Sequence, residues 1–269
     1  MQLKDCFSKP HLLPHMPEVV QDLIATFEQP DPDFHRIITD FSKDPVLSAK
    51  VLRLANSARF GGVREISSVR DASLRLGLDR LRTLIIASGL TCATESVKGI
   101  DIKAFWKQSF MTAEACRLLS EAAHLPGEQH FTCGMLHDLG MLILVLTFPD
   151  TADDVRALAQ RQGRLDAERT LLGFSTADIG AELANQWRFP DVIIQGIKKQ
   201  FAPLAEKPFS AEAAVLYLSK WLLAQPTLPE QAPEIWPQKT AEALGLDWPT
   251  LTSVYQQLQE EDSPFLNAV

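Results

Sequence analysis

Cysteine is scarce: Cys6, Cys92, Cys116 and Cys133 are the four in 269 residues, and they lie far apart. This excludes the CxxC pairs of a zinc ribbon and the density of a disulfide scaffold, and leaves reduced, packed thiols. No run alternates apolar and polar residues for long enough to form a sheet. No glycine-rich phosphate loop, GxSxG elbow or Ser/His/Asp order is visible. The longest apolar run, 135–148, is interrupted by His137 and Asp138 and is too short for a bilayer, so no membrane contact is expected. The start, "MQLKDCFSKPHLLPHMPEVV", lacks the charged and then continuously apolar pattern of a secretory signal, so a cytoplasmic location is expected. Positive charge is also short, with 26 Lys and Arg against 34 Asp and Glu. The resulting pI near 5.3 argues against general nucleic-acid affinity.

What the chain does have is helical periodicity almost throughout, and 46% hydrophobic residues, enough for a core rather than disorder. "PEVVQDLIATFEQ" (17–29) opens on proline, a good first helical residue. In "DPVLSAKVLRLANSARFGG" (44–62), Asp44 is placed as N-cap, Pro45 as first residue and Gly61-Gly62 as the stop. Ser68 with Asp71 forms a capping-box variant, and Gly77 closes that helix before "LDRLRTLIIASGL" restarts. Longer helices are predicted over 101–124, 128–147, 151–162, 174–187, 190–202, 208–224 and 249–260. Residues 224–238 read as a proline-rich loop. The pattern predicts an all-α, two-lobed, multi-helix bundle. Its divisions are a basic N-terminal lobe (1–95), a second lobe with the doublet (96–204), and C-terminal helices (205–269) packed on that lobe.

His137 and Asp138 stand in the apolar stretch "FTCGMLHDLGMLIL", where burying them without partners costs several kcal/mol. A catalytic divalent metal takes three or more protein ligands, and the doublet supplies two at most. His130 shares a helix face with His137 but lies about 10 Å along it. His124 sits at a helix C-terminal end, where the dipole favours positive charge. His11, His15 and His35 belong to the other lobe.

"LLPHMPEVVQDLI", "SKDPVLSAKVLRLANSARFGG", "ISSVRDASLRLGLDRLRTLI", "FWKQSF" and "GMLHDLGMLIL" resemble an HDOD domain, a signalling module related to metal-dependent HD and HD-GYP phosphohydrolases. The resemblance covers about residues 10 to 204. It implies that a metal histidine of those enzymes corresponds here to Gln108, another to Thr176, and a paired histidine to Gln200-Phe201. The lysine that often follows the doublet corresponds to Met141, and no GYP motif is present. With only His137 and Asp138 kept, the resemblance implies no metal, no cofactor and no hydrolysis. The doublet then reads as a buried polar pair held by neighbours such as Gln108.

Charge is unevenly spread. Residues 41–90 hold nine basic residues (Lys43, Lys50, Arg53, Arg59, Arg64, Arg70, Arg75, Arg80, Arg82) against Asp44, Glu65, Asp71 and Asp79. That is +5, leaving −13 for the rest of a chain at −8. Most of these arginines are expected to solvate exposed faces and to pair with Asp71, Asp79 and Glu65. The segregation still points to an electropositive face, with Arg53, Arg75, Arg80 and Arg82 as binding candidates for an acidic signalling partner. The expected function is therefore a non-catalytic signal-transduction output or adaptor domain. Two alternatives remain open: a phosphohydrolase of a nucleotide or cyclic dinucleotide using His137, Asp138, Asp178 and Glu182, and a nucleotide or nucleic-acid binder using the arginines.

Overall fold

In a computed structural model of the chain, every regular element among the described residues is a helix. The structure describes all residues except 15, 29–32, 57–65, 93–99, 206 and 261–269, and within helices not the side chains of 27, 28, 34, 54, 92 and 260. The first half runs through α1 (Glu18–Ile24), α2 (Phe34–Phe41), α3 (Pro45–Ala55), α4 (Val69–Leu76) and α5 (Leu78–Cys92). Asp44 caps α3 by accepting from the amides of Val46 (2.9 Å) and Leu47 (3.0 Å). Ser68 caps α4 at Asp71, but the return bond to the Asp71 carboxylate comes from Ser67 rather than Ser68. Gly77, at φ 82, makes the break between α4 and α5 that a side chain would resist. Asn56 ties its own position to Ile66 through two bonds, Nδ2 to the Ile66 carbonyl (2.7 Å) and the Ile66 amide to Oδ1 (2.6 Å). This is a turn-holding role, as its residue type predicts.

The second half runs through α6 (Ile102–Ala122), α7 (Gly127–Leu136), α8 (Leu139–Thr147), α9 (Pro149–Gln162), α10 (Arg164–Leu172), α11 (Thr176–Gln186), α12 (Asp191–Lys198), α13 (Ala211–Leu223), α14 (Gln238–Ala243) and α15 (Trp248–Glu260). The helix predicted over 128–147 is broken at the doublet: His137 ends α7, and Asp138, at φ −113 and ψ 8, begins α8. By length and composition Gly127–Thr147 could cross a membrane, but 83% of its apolar window is buried inside the fold. Helices α2, α10 and α14, of eight, nine and six residues, are additional to those predicted. Each makes about two turns.

Helix α6 packs on α7, α13 and α15, while α8 lies against α11 and α9, and α5 meets α7 where the two halves join. The first residues, which the sequence assigns to the N-terminal lobe, pack on the second: a 3-10 turn at Leu3–Phe7 contacts α8 and α11 and buries Cys6 completely. The Lys9 ammonium donates to the Thr147 carbonyl at 3.1 Å. The proline-rich segment is held from α15, where Trp248 Nε1 donates to Pro229 (3.3 Å) and the Tyr255 hydroxyl lies 3.1 and 3.0 Å from the carbonyls of Gln225 and Pro226. Trp221 and Trp236 meet Trp248 edge-on, at 6.2 and 5.2 Å.

Candidate functional site

The break between α7 and α8 places His137 and Asp138 where α10, α11, α12 and α13 converge. His137 is buried, and its Nδ1–H donates to the Gly134 carbonyl one turn earlier (2.7 Å). Burial pushes its pKa down to about 4, so the ring is neutral near pH 7. Gln200, just past α12, gives its Nε2 to the carbonyls of His137 (3.0 Å) and Ile197 (2.9 Å), and its Oε1 accepts from the Lys220 ammonium of α13 (2.8 Å). Lys220 lies 4.4 Å above the Phe201 ring, and the Arg164 guanidinium is 5.8 Å from the same ring.

Asp138 is claimed by Arg164, which opens α10 and donates to Asp138 Oδ1, to Thr176 Oγ1 (2.8 Å) and to Glu168 Oε1 (2.8 Å). Glu168 is wholly buried. Its carboxylate also accepts from the Thr176 amide and hydroxyl, both at 2.7 Å. Burial raises the pKa of Asp138, but the charge and hydrogen bond of Arg164 outweigh it and leave it below the usual carboxylate value. Burial and the neighbouring guanidinium bring Lys220 down to about 8. Two carboxylates, Asp138 and Glu168, thus face two cations, Arg164 and Lys220. Without any further ion the cluster is neutral.

The metal of the HD-type phosphohydrolases, to which this fold is related, does not fit these residues. A divalent ion on Asp138 would meet the Arg164 guanidinium already bonded to that carboxylate, and the Gln200 oxygen is turned to an ammonium. The Thr176 hydroxyl is committed to Glu168. Asp178 caps its own helix, accepting from the Ser175 amide (2.8 Å) and hydroxyl (2.7 Å), and Glu182 accepts from Gln186. The four acceptors of the alternative ligand set therefore do not converge, and no three His, Cys, Asp or Glu side chains form a metal-binding group among the described residues. Gln108 is exposed on α6, so the predicted partner of the doublet is replaced by Gly134, Gln200 and Arg164.

Arg164, Glu168 and Lys220 were not identified from sequence. A signal for Lys220 exists: it is the single basic residue in "AAVLYLSKWLL", as conspicuous as the doublet in its own run. Arg164 and Glu168 are four apart on one helix face.

The arginine candidates lie elsewhere. Arg53 and Arg80 are exposed, Arg80 being 3.7 Å from Glu128 of α7. Arg75 pairs with Asp71 (3.0 Å) and Arg82 with Asp79, as the ordinary reading of the segment expects. Arg59, Arg64 and Glu65 lie outside the described residues.

A profile of the HDOD domain matches residues 13–203, most of the chain. The chain belongs to the HDOD family. It is 30% identical over 215 residues to the cyclic di-GMP phosphodiesterase CdgJ of Vibrio cholerae, covering 67% of this chain and 49% of that protein. It is 27% identical over 232 residues to an uncharacterized protein of Treponema pallidum, covering 82% and 44%. The chain therefore spans about half the length of the curated relatives it matches. A solved structure of a candidate phosphohydrolase from Shewanella amazonensis superposes with a TM-score of 0.82 at 32% identity, covering 98% of this chain and 96% of that one.

The His137 pKa carries a pH prediction for this HDOD domain. Its folded value, about 4, lies below the ordinary 6.5. The unfolded chain therefore binds more protons between those limits, and stability must fall as pH drops from about 6.5 toward 4. The expected size is about 3 kcal/mol across that window. Urea unfolding of wild type and His137→Gln at pH 7 and pH 4.5 should show a clearly smaller acid loss in the variant. Equal losses would assign the pH dependence to other groups.

Proposed function

We propose that this HDOD protein is a non-catalytic output or adaptor module of signal transduction, working in the cytoplasm through protein contacts. The observation that carries this reading is the Arg164 guanidinium bonded to Asp138, with Lys220 beside it. Metal-assisted hydrolysis needs an open coordination position and a strongly polarising ion. Here the carboxylate of the doublet is already neutralised by side chains of the fold. The phosphodiesterase activity in CdgJ's name belongs to a protein of which this match covers 49%.

The partner proposed is an acidic protein surface, met by the basic N-terminal lobe, on which Arg53 and Arg80 are exposed. A guanidinium can grip two carboxylate oxygens at once, and an excess of positive charge speeds the encounter. The test begins with purified protein titrated with Mg²⁺, Mn²⁺ and Zn²⁺ and assayed on cyclic di-GMP and a nitrophenyl phosphodiester. No stoichiometric binding and no turnover above background are expected. Tight binding with metal-dependent turnover would overturn the adaptor reading. For the contact itself, Arg53→Glu with Arg80→Glu should slow association with a captured partner and flatten its salt dependence, with helicity unchanged. Equal rates at every ionic strength would remove these arginines from the interface.

A further inference from the structure

Two side chains stand apart from the rest of the surface. Leu74 of α4 is 80% exposed and Ile235 of the proline-rich segment 90%, whereas the other exposed large apolar side chains among the described residues lie between 40% and 57%. Scattered apolar residues at the lower level are ordinary on a folded surface. A leucine and an isoleucine left almost wholly in water forfeit the gain of burial, and each has charge of one sign beside it.

On α4, Val69 and Ala72 are buried where the helix packs on α3 and α5. The helical period then puts Arg70 and Leu74, one turn apart, on the opposite face. Arg75 is paired with Asp71 at 3.0 Å, whereas Arg70 is exposed and pairs with no acid among the described residues. From Val69 to Arg82 the chain carries four arginines (Arg70, Arg75, Arg80, Arg82) against two aspartates (Asp71, Asp79), a net +2. Residues 224–238 have the opposite character, with Glu230 and Glu234 and no Lys or Arg. Both acids are exposed, and neither pairs with a cation among the described residues. The segment is also fixed in place. Tyr255 and Trp248 bond its carbonyls at Gln225, Pro226 and Pro229, and Trp236, next to Ile235, lies edge-on to Trp248. Ile235 is thus presented from an ordered support, and little further ordering is needed on contact.

We infer that α4 is a docking surface for a second copy of this chain. The Ile235 tip of one copy seats against Leu74 of the next, with Glu230 and Glu234 against Arg70. Charge complementarity selects this occupant: an apolar tip flanked by acids answers an apolar helix face flanked by a cation. Within one copy the two do not meet, since both side chains are exposed. The two surfaces differ, so the contact is head-to-tail and either closes a ring or extends a row of copies. One apolar anchor with one or two ion pairs makes a small interface of the transient class, with a dissociation constant on the order of 0.1 to 1 mM. The inference goes beyond the adaptor reading and does not use Arg53 or Arg80, so self-association can fail while a different acidic partner still binds the lobe.

Sedimentation of the full chain tests this contact. At low salt the average mass should rise with concentration from about 0.05 to 1 mM, and the rise should shrink in about 0.5 M sodium chloride, where exposed charges are screened. Arg70→Glu with Leu74→Ser, and Glu234→Lys with Ile235→Ser, alter exposed side chains alone. Each double variant should stay monomeric by itself, with its circular dichroism unchanged. Mixed in equal amounts, the two still offer one intact surface each, and they should form a dimer that grows no further. A wild-type chain that stays monomeric throughout would overturn the inference. So would a Glu234→Lys, Ile235→Ser variant that associates as the wild type does, or a mixture of the two variants that forms no dimer.

Discussion

Arg164→Ala is expected to lower the stability of the fold by about 3 kcal/mol, the lower edge of what removing one partner of a buried ion pair costs. The lower edge applies because Arg164 is 32% exposed and Asp138 24% exposed, so water screens part of the loss. Glu168 is different: it is wholly buried, and without Arg164 it keeps the hydrogen bonds from the amide and hydroxyl of Thr176 and the more distant charge of Lys220. Chemical denaturation of the variant measures the loss. Neutralising the acids as well, with Asp138→Asn and Glu168→Gln added to Arg164→Met, should recover most of it, because the one charge then left is Lys220, whose pKa already lies at about 8 and which can release its proton. A low, non-denaturing concentration of guanidinium should raise the melting temperature of Arg164→Ala, whereas potassium at the same concentration should not. A loss under about 1 kcal/mol, the size of an ordinary surface change, would show that Arg164 is not the cation that balances this cluster.

Gly140→Ala is expected to be the most damaging alanine substitution among the described glycines. A Cβ there would lie 1.8 Å from the Thr176 carbonyl oxygen and 2.7 Å from the Gly180 amide nitrogen. Both are backbone atoms, so relief requires α8 and α11 to move apart rather than a side chain to turn. Overpacking of this kind costs at least the upper part of the ordinary range, about 3 kcal/mol or more. The displacement acts on Thr176, which anchors Glu168, so the ion cluster loosens with it. Gly180→Ala is the control: its added carbon would meet nothing closer than 3.4 Å, and a change within about 1 kcal/mol is expected. Thermal melts of the two variants should differ widely. Equal melting temperatures would contradict the close α8–α11 approach.

The helical character of the chain was readable because caps and stops are local. Asp44 before Pro45, Ser68 three before Asp71, and Gly77 between two apolar runs each act within one turn of themselves. Three short helices, α2, α10 and α14, escaped the same reading. Helix α10 has nine residues and few apolar positions, yet it carries both Arg164 and Glu168. The doublet was conspicuous by its cost, since two polar side chains stood in an apolar run. Its partners were not, and the choice of Gln108 failed because a matching position along the chain does not settle which way an amide faces.

By itself, the sequence determined that the protein is all-α, that an electropositive segment interrupts an otherwise acidic chain, and that His137 and Asp138 need partners inside the fold. These properties depend on residue type and on spacings of three to seven. Tertiary structure alone decided what those partners are. Asp138 meets Arg164 across 26 positions, His137 meets Gln200 across 63, and Gln200 meets Lys220 across 20. No periodicity encodes such distances. They arise because α8, α10, α12 and α13 each bury an apolar face in one core, and the few polar groups carried inward can avoid the cost of desolvation only by finding one another.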